Sequence, residues 1–417
     1  MAQTRSTGDA GLPKSDRPED IGLSSERLER VHDTFQASID SGDIPGAVVL
    51  IARYGKVGFF EAFGYRDREK QAAMSTDAIF RIASMTKPVT SVAIMMLAEE
   101  GKVQLAYPVS QYLPEFKDLK VGVETTGKSG AAHLELHPAA REMTIQDLLR
   151  HTSGLTYGFF GDSLVKTAYN AAAIFDPSQT NAAMATKLAH LPLAYHPGTT
   201  WEYSMSTDLL GRVVEVISGV DFDRFIAAHI SDPLRLQVTD FSVAEAQADR
   251  IAEPQEDQTT GKRPPMADPL VRPKWFSGGG GLVSSAADYV LFCQMLLNGG
   301  ELDGVRLLSP KTIALMTSDH LPPGVAYGPA THSLFGASAP TAEMGQGFGL
   351  GFAVRKEPGR NPVPGSVGDF FWGGVFGTSF WIDPQEQLIA ILMMQAPARR
   401  LHYRYLLREL VYQAVLG

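Results

Sequence analysis

Apolar residues near both ends of the chain alternate between helix-like and strand-like patterns. Beyond residue 20, four apolar side chains recur at helical spacing behind a serine-rich start, namely Leu28, Val31, Phe35 and Ile39. This pattern predicts a capped helix. The following segment, GAVVLIARYGKVGFFEAFGY, contains two apolar runs joined at Tyr54-Gly55-Lys56 and predicts an antiparallel hairpin.

The C-terminal part mirrors this arrangement. The strand-like runs FGTSFWID and QLIAILMMQ are separated by Asp383-Pro384-Gln385, and the chain ends with helical periodicity. A helix and hairpin at one end can share one sheet with a hairpin and helix at the other. The middle of the chain is richer in alanine and in helical spacing, with proline-rich breaks.

These patterns predict an α+β fold with two domains. Residues 21–83 and 274–417 are expected to form an α/β sandwich domain, whose antiparallel sheet is flanked by helices. Residues 84–273 are expected to form a mainly helical domain inserted into it, and residues 1–20 a flexible tail.

Composition and charge exclude several classes of partner. The net charge of −9 and the absence of a basic stripe argue against nucleic acid and anionic membranes. The single cysteine, Cys293, lies in an apolar stretch, which predicts a buried thiol and no internal disulfide. Because the N-terminus lacks an apolar signal region and no run reaches the roughly 20 apolar residues of a membrane helix, we expect a soluble, cytoplasmic protein.

Ser84 and Lys87 are the candidate nucleophile and its amine partner. One helical face begins directly after Ser84 and contains Met85, Val89, Val92, Ala93, Met96 and Leu97. A serine at a helix N-terminus has nearby free N–H groups and the positive end of the helix dipole, which stabilise developing negative charge. Lys87 lies three residues on, so it returns to the same face, where a lysine with a lowered pKa can activate a hydroxyl.

Other candidate sites are weaker. Ser163 and Lys166 repeat the S-x-x-K spacing without a clear apolar face, and no G-x-S-x-G pentapeptide of the α/β-hydrolase type occurs. His133 and His137 flank a misplaced glutamate, so we expect no metal site there. The glycine run SGGGGLVSS lacks the lysine of a phosphate-binding loop and predicts a tight backbone feature.

Several motifs together resemble a known superfamily. RIASMTKPVTS, TIQDLLRHTSGL, HPGTTWEYSMSTDLLG and GGGGLVSSAADY occur in the order found in serine β-lactamases and penicillin-binding proteins, over about residues 20 to 410. Within that superfamily the chain is most similar to the class C β-lactamase-like esterases, also called family VIII carboxylesterases. The resemblance implies a β-lactamase/transpeptidase-like fold with the active site between the two predicted domains. It also implies a structural role for His151 in a turn after a helix.

The second motif of this family corresponds to Tyr203-Ser204-Met205. The resemblance implies that the phenol of Tyr203 lies near Ser84 and Lys87 and shares in proton transfer. Met205 replaces the asparagine that is usual in β-lactamases. We expect Met205 to line the substrate site, without the polar contact that an amide substrate would receive.

The third motif, usually Lys-Thr-Gly, corresponds to Trp372-Gly373-Gly374. These residues are expected to bind substrate, with an apolar indole in place of the cation that grips an anionic antibiotic. The two glycines are expected to allow a ligand close to the backbone. The same alignment implies an oxyanion hole formed by the N–H groups of Ser84 and Val375.

The resemblance therefore implies a serine carboxylesterase that hydrolyses short-chain esters through an acyl-enzyme, without cofactor or metal. Alternatives are an acyltransferase, a β-lactamase or D-amino-acid peptidase with the same site, and a non-catalytic sensor acylated once. The expected partner is a small-molecule ester, and the protein is expected to be a monomer or a small homo-oligomer.

Overall fold

A computed structural model describes residues 11–127, 130–256 and 261–416. Its strands, in chain order, are β1 (Gly46–Arg53), β2 (Lys56–Asp67), β3 (Ala72–Ala73), β4 (Phe80–Arg81), β5 (Lys120–Thr126), β6 (Ala132–Pro138), β7 (Thr200–Trp201), β8 (Val283–Ser284), β9 (Glu301–Leu302), β10 (Val305–Arg306), β11 (Ala326–Tyr327), β12 (Gln346–Phe348), β13 (Ala353–Arg355), β14 (Phe370–Gly373), β15 (Ser379–Asp383) and β16 (Leu388–Met394).

The α-helices run between and around these strands. In chain order they are α1 (Ser25–Asp40), α2 (Thr86–Glu99), α3 (Ile145–Leu149), α4 (Leu164–Ala171), α5 (Asn181–Ala189), α6 (Ser206–Ser218), α7 (Phe222–Ile226), α8 (Asp232–Leu234), α9 (Ala286–Leu297), α10 (Pro310–Met316), α11 (Thr331–Phe335) and α12 (Arg400–Tyr412). In the part of the chain that the structure describes, no helix is both long and apolar enough to cross a membrane.

One eight-stranded sheet joins the two ends of the chain. Its strand order is β12-β13-β14-β15-β16-β1-β2-β3, and every neighbouring pair is antiparallel. The predicted hairpins are β1–β2 and β15–β16, and β1 pairs with β16 between them. The α+β fold with a shared antiparallel sheet is therefore confirmed.

Helices cover opposite faces of this sheet. Side chains alternate between the two faces along a strand. On β14 and β15, Phe371 and Trp381 face α12, where Arg408 lies over both rings. Trp372 and its cross-strand neighbour Phe380 face the other way, and Phe380 contacts Tyr289 of α9. Gly373 therefore lies on the α12 face and Trp372 on the α9 face.

The helix after Ser84 is buried on nearly all sides. The sequence pattern predicts one apolar face, but Pro88, Thr90, Ser91 and Ile94 on other faces are buried as well. The helix contacts α6 and α7, so it lies in the interior. Its regular part begins at Thr86, one residue later than predicted, because a 3₁₀ turn over Ala83–Met85 precedes it.

The predicted flexible tail is wrong for residues 11–20. The Ser15 N–H donates to the Val57 carbonyl at 2.9 Å, and the Val57 N–H donates to Pro13 at 2.8 Å. Leu12 is buried in the core. This segment is thus hydrogen-bonded to the start of β2, while residues 1–10 lie outside the described residues.

The middle of the chain is mainly helical, as expected, but it also contains the β5–β6 hairpin. His133 and His137 lie on exposed β6 with Glu135 between them. The division into two domains stays a prediction. The predicted domain boundaries, after residues 83 and 273, lie near strands β4 and β8. These two strands pair with each other, so residues 80–81 lie beside residues 283–284.

Asp147 anchors the segment that leads to His151. Its carboxylate is fully buried and accepts hydrogen bonds from Arg141, Arg150 and Thr152, and it completes a capping box with Thr144. Burial alone would raise the pKa of Asp147, but the hydrogen bonds and the arginine charges outweigh it and lower the pKa to about 2.

This depressed pKa predicts acid-dependent stability. Ionised Asp147 is expected to contribute about 2 kcal/mol above pH 5, and this contribution is lost as the pH falls toward 2. In urea titrations, Asp147→Asn should therefore be less stable than wild type at pH 6, with a gap that narrows at pH 3. Asp162→Asn, at an exposed position, is the control. A gap that is equal at both pH values would contradict the assignment.

Candidate active site

Ser84 lies at the junction of β4 and α2. The preceding residue, Ala83, has a φ of 45°, a left-handed conformation that is uncommon for a residue other than glycine. Ser84 itself is partly exposed, whereas Ala83 and Met85 on either side are buried. As the first turn of a helix leaves N–H groups without earlier acceptors, the backbone here is available to an anion.

Lys87 is buried beside Ser84 with its ammonium group fully coordinated. Its Nζ donates to Ser84 Oγ at 3.3 Å, to Tyr157 OH at 3.1 Å and to the Gly279 carbonyl at 2.7 Å. The residue is only 1% exposed. Three acceptors match the three N–H bonds of an ammonium, so the predicted pairing of Ser84 and Lys87 is present in the structure.

The glycine run 278–281 closes one side of this site. A methyl group at Gly279 would stand 2.2 Å from Asp208 Oδ2, and one at Gly278 would stand 2.6 Å from the Thr207 carbonyl. Only glycine allows the backbone so close, which brings the Gly279 carbonyl to Lys87. The predicted tight backbone feature is confirmed, and its partner is the lysine.

Tyr157 and Asp208 extend the hydrogen-bond chain, and sequence reasoning missed both. Tyr157 OH donates to Asp208 Oδ2 at 3.3 Å, and Asp208 Oδ1 also accepts from Ser277 and from the Gly279 N–H. Burial and the Asp208 charge raise the pKa of Tyr157 well above its usual value, which keeps the phenol neutral. One signal in the sequence could have identified Asp208, because it is the single carboxylate in the apolar segment STDLLG, and a carboxylate buried beside leucines requires a partner.

Burial also raises the pKa of Asp208, while Lys87 and the donors around the carboxylate oppose this effect. Lys87 and Asp208 are thus opposite charges joined through one tyrosine hydroxyl. An interior charge is tolerated when it is paired and hydrogen-bonded, and this chain supplies both conditions.

Tyr203 lies beside Lys87, as predicted, but contacts it with its ring. The ring centroid is 4.5 Å from Lys87 Nζ, within cation–π distance. The Tyr203 oxygen accepts a hydrogen bond from Trp372 Nε1 at 3.2 Å. Since an indole N–H can only donate, the hydroxyl proton of Tyr203 remains available for another partner.

The structure shows the surroundings of the four residues that were predicted to bind substrate. Met205 is fully buried, so its side chain presents no surface to a substrate. A methyl group at Gly373 would stand 2.6 Å from Arg404 Cζ, and one at Gly374 would stand 2.4 Å from the Ile82 carbonyl. In this structure, the close approach that these glycines permit is to other parts of the chain. Trp372 is buried, and its indole N–H donates a hydrogen bond to the Tyr203 oxygen.

The turn after β14 lies against the segment that enters Ser84. Thr378 Oγ1 donates to the Ile82 carbonyl at 3.1 Å, and the Gly374 N–H donates to the Thr378 carbonyl at 2.8 Å. Among the described residues, no hydrogen bond within the chain uses the Val375 N–H. Val375 and Ser84 are thus on adjacent segments, which is compatible with the predicted oxyanion hole.

The competing candidates have structural partners. Ser163 caps α4, its Oγ accepting from the Lys166 N–H, and Lys166 pairs with buried Glu202 at 3.1 Å. His151 is buried with its Nδ1 3.2 Å from Ser204 Oγ. Burial and the Lys87 charge hold the pKa of His151 well below its usual value, so this imidazole stays neutral.

An aromatic cluster extends from the buried site to the surface. Tyr157 stacks on Phe159 with ring centroids 5.1 Å apart, and Phe159 contacts Phe175 at 5.0 Å. Phe159 and Phe175 are 53% and 48% exposed, whereas Tyr157 is buried. We call Phe159 and Phe175 the aromatic rim. Through the contact of Phe159 with Tyr157, the aromatic rim places exposed apolar surface next to the tyrosine that hydrogen-bonds to Lys87.

The chain is similar to known proteins over most of its length. The family model described as Beta-lactamase matches residues 31–413. Protein Rv1367c of Mycobacterium tuberculosis is 37% identical over 375 residues, which cover 87% of this chain and 90% of that protein. Esterase EstB of Burkholderia gladioli is 29% identical over 406 residues, which cover 90% of this chain and 91% of that protein.

Among solved structures, EstCE1 is described as a hydrolase with promiscuous acyltransferase activity. It superposes with a TM-score of 0.76 at 29% identity, over 94% of this chain and 99% of its own. The similarities span nearly the whole chain and include the sheet, the helices and the segment around Ser84. The chain therefore belongs to the beta-lactamase family and is a serine hydrolase with the fold of that family.

Proposed function

We propose that this protein is a carboxylesterase that hydrolyses short-chain esters through an acyl-enzyme on Ser84. The observation that supports this most strongly is the buried Lys87 side chain, whose Nζ lies 3.3 Å from Ser84 Oγ. A serine hydroxyl is a weak nucleophile unless an adjacent group takes its proton. Lys87 lies within hydrogen-bond distance of Ser84, and the ring of Tyr203 lies beside Lys87, which supports a role for these two residues in proton transfer.

In the proposed reaction, Lys87 and Tyr203 act as one coupled pair. In the reacting form, the pair carries one proton fewer than a Lys87 ammonium together with a Tyr203 phenol. This form takes the proton of Ser84 as its Oγ attacks the ester carbonyl, and the N–H groups of Ser84 and Val375 stabilise the oxyanion. The proton then passes to the leaving alcohol, which departs and leaves an acyl-enzyme. A water molecule then attacks the acyl-enzyme and gives one proton to the pair. The bond to Ser84 breaks as the pair passes that proton back to Oγ, and the acid is released.

The surroundings of Ser84 favour a small, neutral acyl group. Lys87, Trp372 and Tyr203 are 1%, 3% and 8% exposed, so these side chains present little accessible surface to a large substrate. The indole at position 372 supplies no cation to bind the carboxylate of an anionic antibiotic. The aromatic rim would then contact an apolar group that extends outward from the ester.

Acyl transfer to an alcohol is the second candidate, because EstCE1 combines hydrolysis with promiscuous acyltransferase activity. The aromatic rim could hold an apolar alcohol as well as a leaving group.

A panel of p-nitrophenyl esters with and without added alcohol, a cephalosporin and a D-alanyl peptide separates ester hydrolysis, acyl transfer, and β-lactamase or peptidase activity. We expect short esters to be turned over fastest. A protein acylated once as a sensor would instead keep its adduct in intact mass spectra.

The nucleophile is tested with its own internal control. Ser84→Ala should lower kcat for p-nitrophenyl acetate by at least about 1000-fold, because it removes the attacking oxygen. Ser163→Ala, at the other S-x-x-K serine, should keep wild-type kcat and lose only about 1 kcal/mol of stability through its helix cap. Comparable activity in Ser84→Ala and wild type would overturn the proposal.

The two tyrosines are expected to differ in their contributions. Tyr203→Phe should lower kcat by about 100-fold or more, because it removes a proton-transfer oxygen. Tyr157→Phe should lower kcat less, about tenfold, because it removes one hydrogen bond to Lys87 and leaves the pair intact. Steady-state kinetics of both variants measures the order. A larger loss of kcat in Tyr157→Phe than in Tyr203→Phe would contradict this assignment and would identify Tyr157 as the proton-transfer residue.

The aromatic rim is expected to control binding of bulky esters. Replacing Phe159 and Phe175 together by alanine should raise KM for aryl esters about tenfold, with kcat nearly unchanged, because apolar contact is lost away from the reacting atoms. Methyl and ethyl esters should be unaffected. Val216→Ala, an exposed apolar residue of α6, is the control. An equal change in KM for small and bulky esters would contradict the role of the aromatic rim in binding bulky esters.

A further inference from the structure

Arg404 of α12 lies beneath the turn that carries Val375. Its guanidinium group packs on the face of β14 opposite to Trp372, in the space that a side chain at Gly373 would fill. Arg404 Nη2 donates to the Gly374 carbonyl and, at 3.2 Å, to the Thr378 carbonyl. A single side chain thus holds both ends of the turn 374–378.

This cation is held without a carboxylate partner among the residues that the structure describes. Arg408, one turn later on α12, pairs with Asp369 at 2.9 Å, whereas the charged side chain that acts on Arg404 is Arg400, a like charge. Burial and the nearby Arg400 lower the pKa of Arg404 to about 10, so it is still charged at neutral pH. Its charge is directed at backbone carbonyls.

The geometry of one peptide unit connects Arg404 to the reaction. The Gly374 carbonyl and the Val375 N–H belong to the same peptide bond, and the described residues contain no cis peptide. In a planar trans peptide these two groups point in opposite directions. Because Arg404 holds the carbonyl toward α12, the Val375 N–H is directed away from α12, toward the face of the sheet where Trp372 lies.

A charged donor has a second effect on the same peptide. Hydrogen bonds to ionised groups are stronger than neutral ones, and a hydrogen bond at the carbonyl polarises the N–H of that unit. The Gly377 N–H also donates to the Gly374 carbonyl, at 3.1 Å. Two donors on this oxygen both fix the peptide plane and strengthen its N–H as a donor.

We propose that Arg404 is a positioning residue that orients and polarises the peptide between Gly374 and Val375 for stabilisation of the oxyanion. This inference rests on the proposed function, in which Ser84 is the nucleophile and Val375 supplies an oxyanion N–H. Arg404 acts through that peptide, from the opposite face of the sheet. A role limited to joining α12 to the sheet would make a different prediction, because it would change stability without changing the chemical step.

The test compares two arginines of the same helix. Arg404→Gln keeps a donor and removes the charge, and Arg404→Lys keeps the charge and removes the planar fork. The control is Arg400→Gln, because Arg400 donates to the Pro397 and Leu334 carbonyls instead. For each variant, kcat and KM for p-nitrophenyl acetate, affinity for a boronic acid that forms a tetrahedral adduct with Ser84, and thermal unfolding are measured.

We expect Arg404→Gln to lower kcat by about 10- to 100-fold with KM changed less than about threefold, since loss of an oxyanion donor costs about 100- to 1000-fold. Boronic acid affinity should fall by a similar factor, and Arg404→Lys should recover part of both losses. Should Arg404→Gln fail to fold, Arg404→Lys carries the test, with a smaller loss of the same kind.

Wild-type kcat in Arg404→Gln, or equal losses in Arg404→Gln and Arg400→Gln, would overturn this inference. Loss of stability with unchanged kcat and boronic acid affinity would overturn it as well. Failure of the proposed function is distinguishable, because Ser84→Ala would then remain active. An inactive Ser84→Ala beside a fully active Arg404→Gln would reject the role of Arg404 alone.

Discussion

The ammonium group of Lys87 is almost completely removed from water, and the surrounding site supplies what a buried charge requires. Isolated charges are strongly disfavoured in a protein interior, so each N–H bond needs an acceptor and the charge needs a counter-charge. Ser84, Tyr157 and Gly279 provide the acceptors, and Asp208 provides the counter-charge through Tyr157. The chain segments that carry Ser84, Tyr157 and Gly279 therefore all meet at the side chain of Lys87.

The parts of this arrangement that depend on local spacing could be predicted from the sequence. Hydrophobic periodicity gave the two hairpins and the helices at both ends, and their mirrored order indicated one shared sheet. Lys87 is brought to Ser84 by helical spacing of three residues. Tyr203 and Trp372 have no such local signal, and only the family resemblance placed them beside the lysine.

The contacts that depend on long-range packing could not be predicted. Tyr157 and Asp208 meet Lys87 from segments that are distant in sequence, and α2 is buried on nearly every side, which obscures a single apolar face. Gly373 was expected to admit a ligand, yet alternation along β14 turns it toward Arg404 on the opposite face of the sheet. The sequence indicates that glycine is required there but not which neighbour needs the space.

The dependence of Ser84 on Lys87 is tested most directly by covalent labelling. A p-nitrophenyl phosphonate reacts with an activated serine and cannot turn over, so peptide mapping by mass spectrometry identifies the nucleophile and the labelling rate reports its activation. We expect a single adduct on Ser84 in wild type and labelling at least about 100-fold slower in Lys87→Met. An adduct on another residue, or equal labelling rates in the two proteins, would contradict this account.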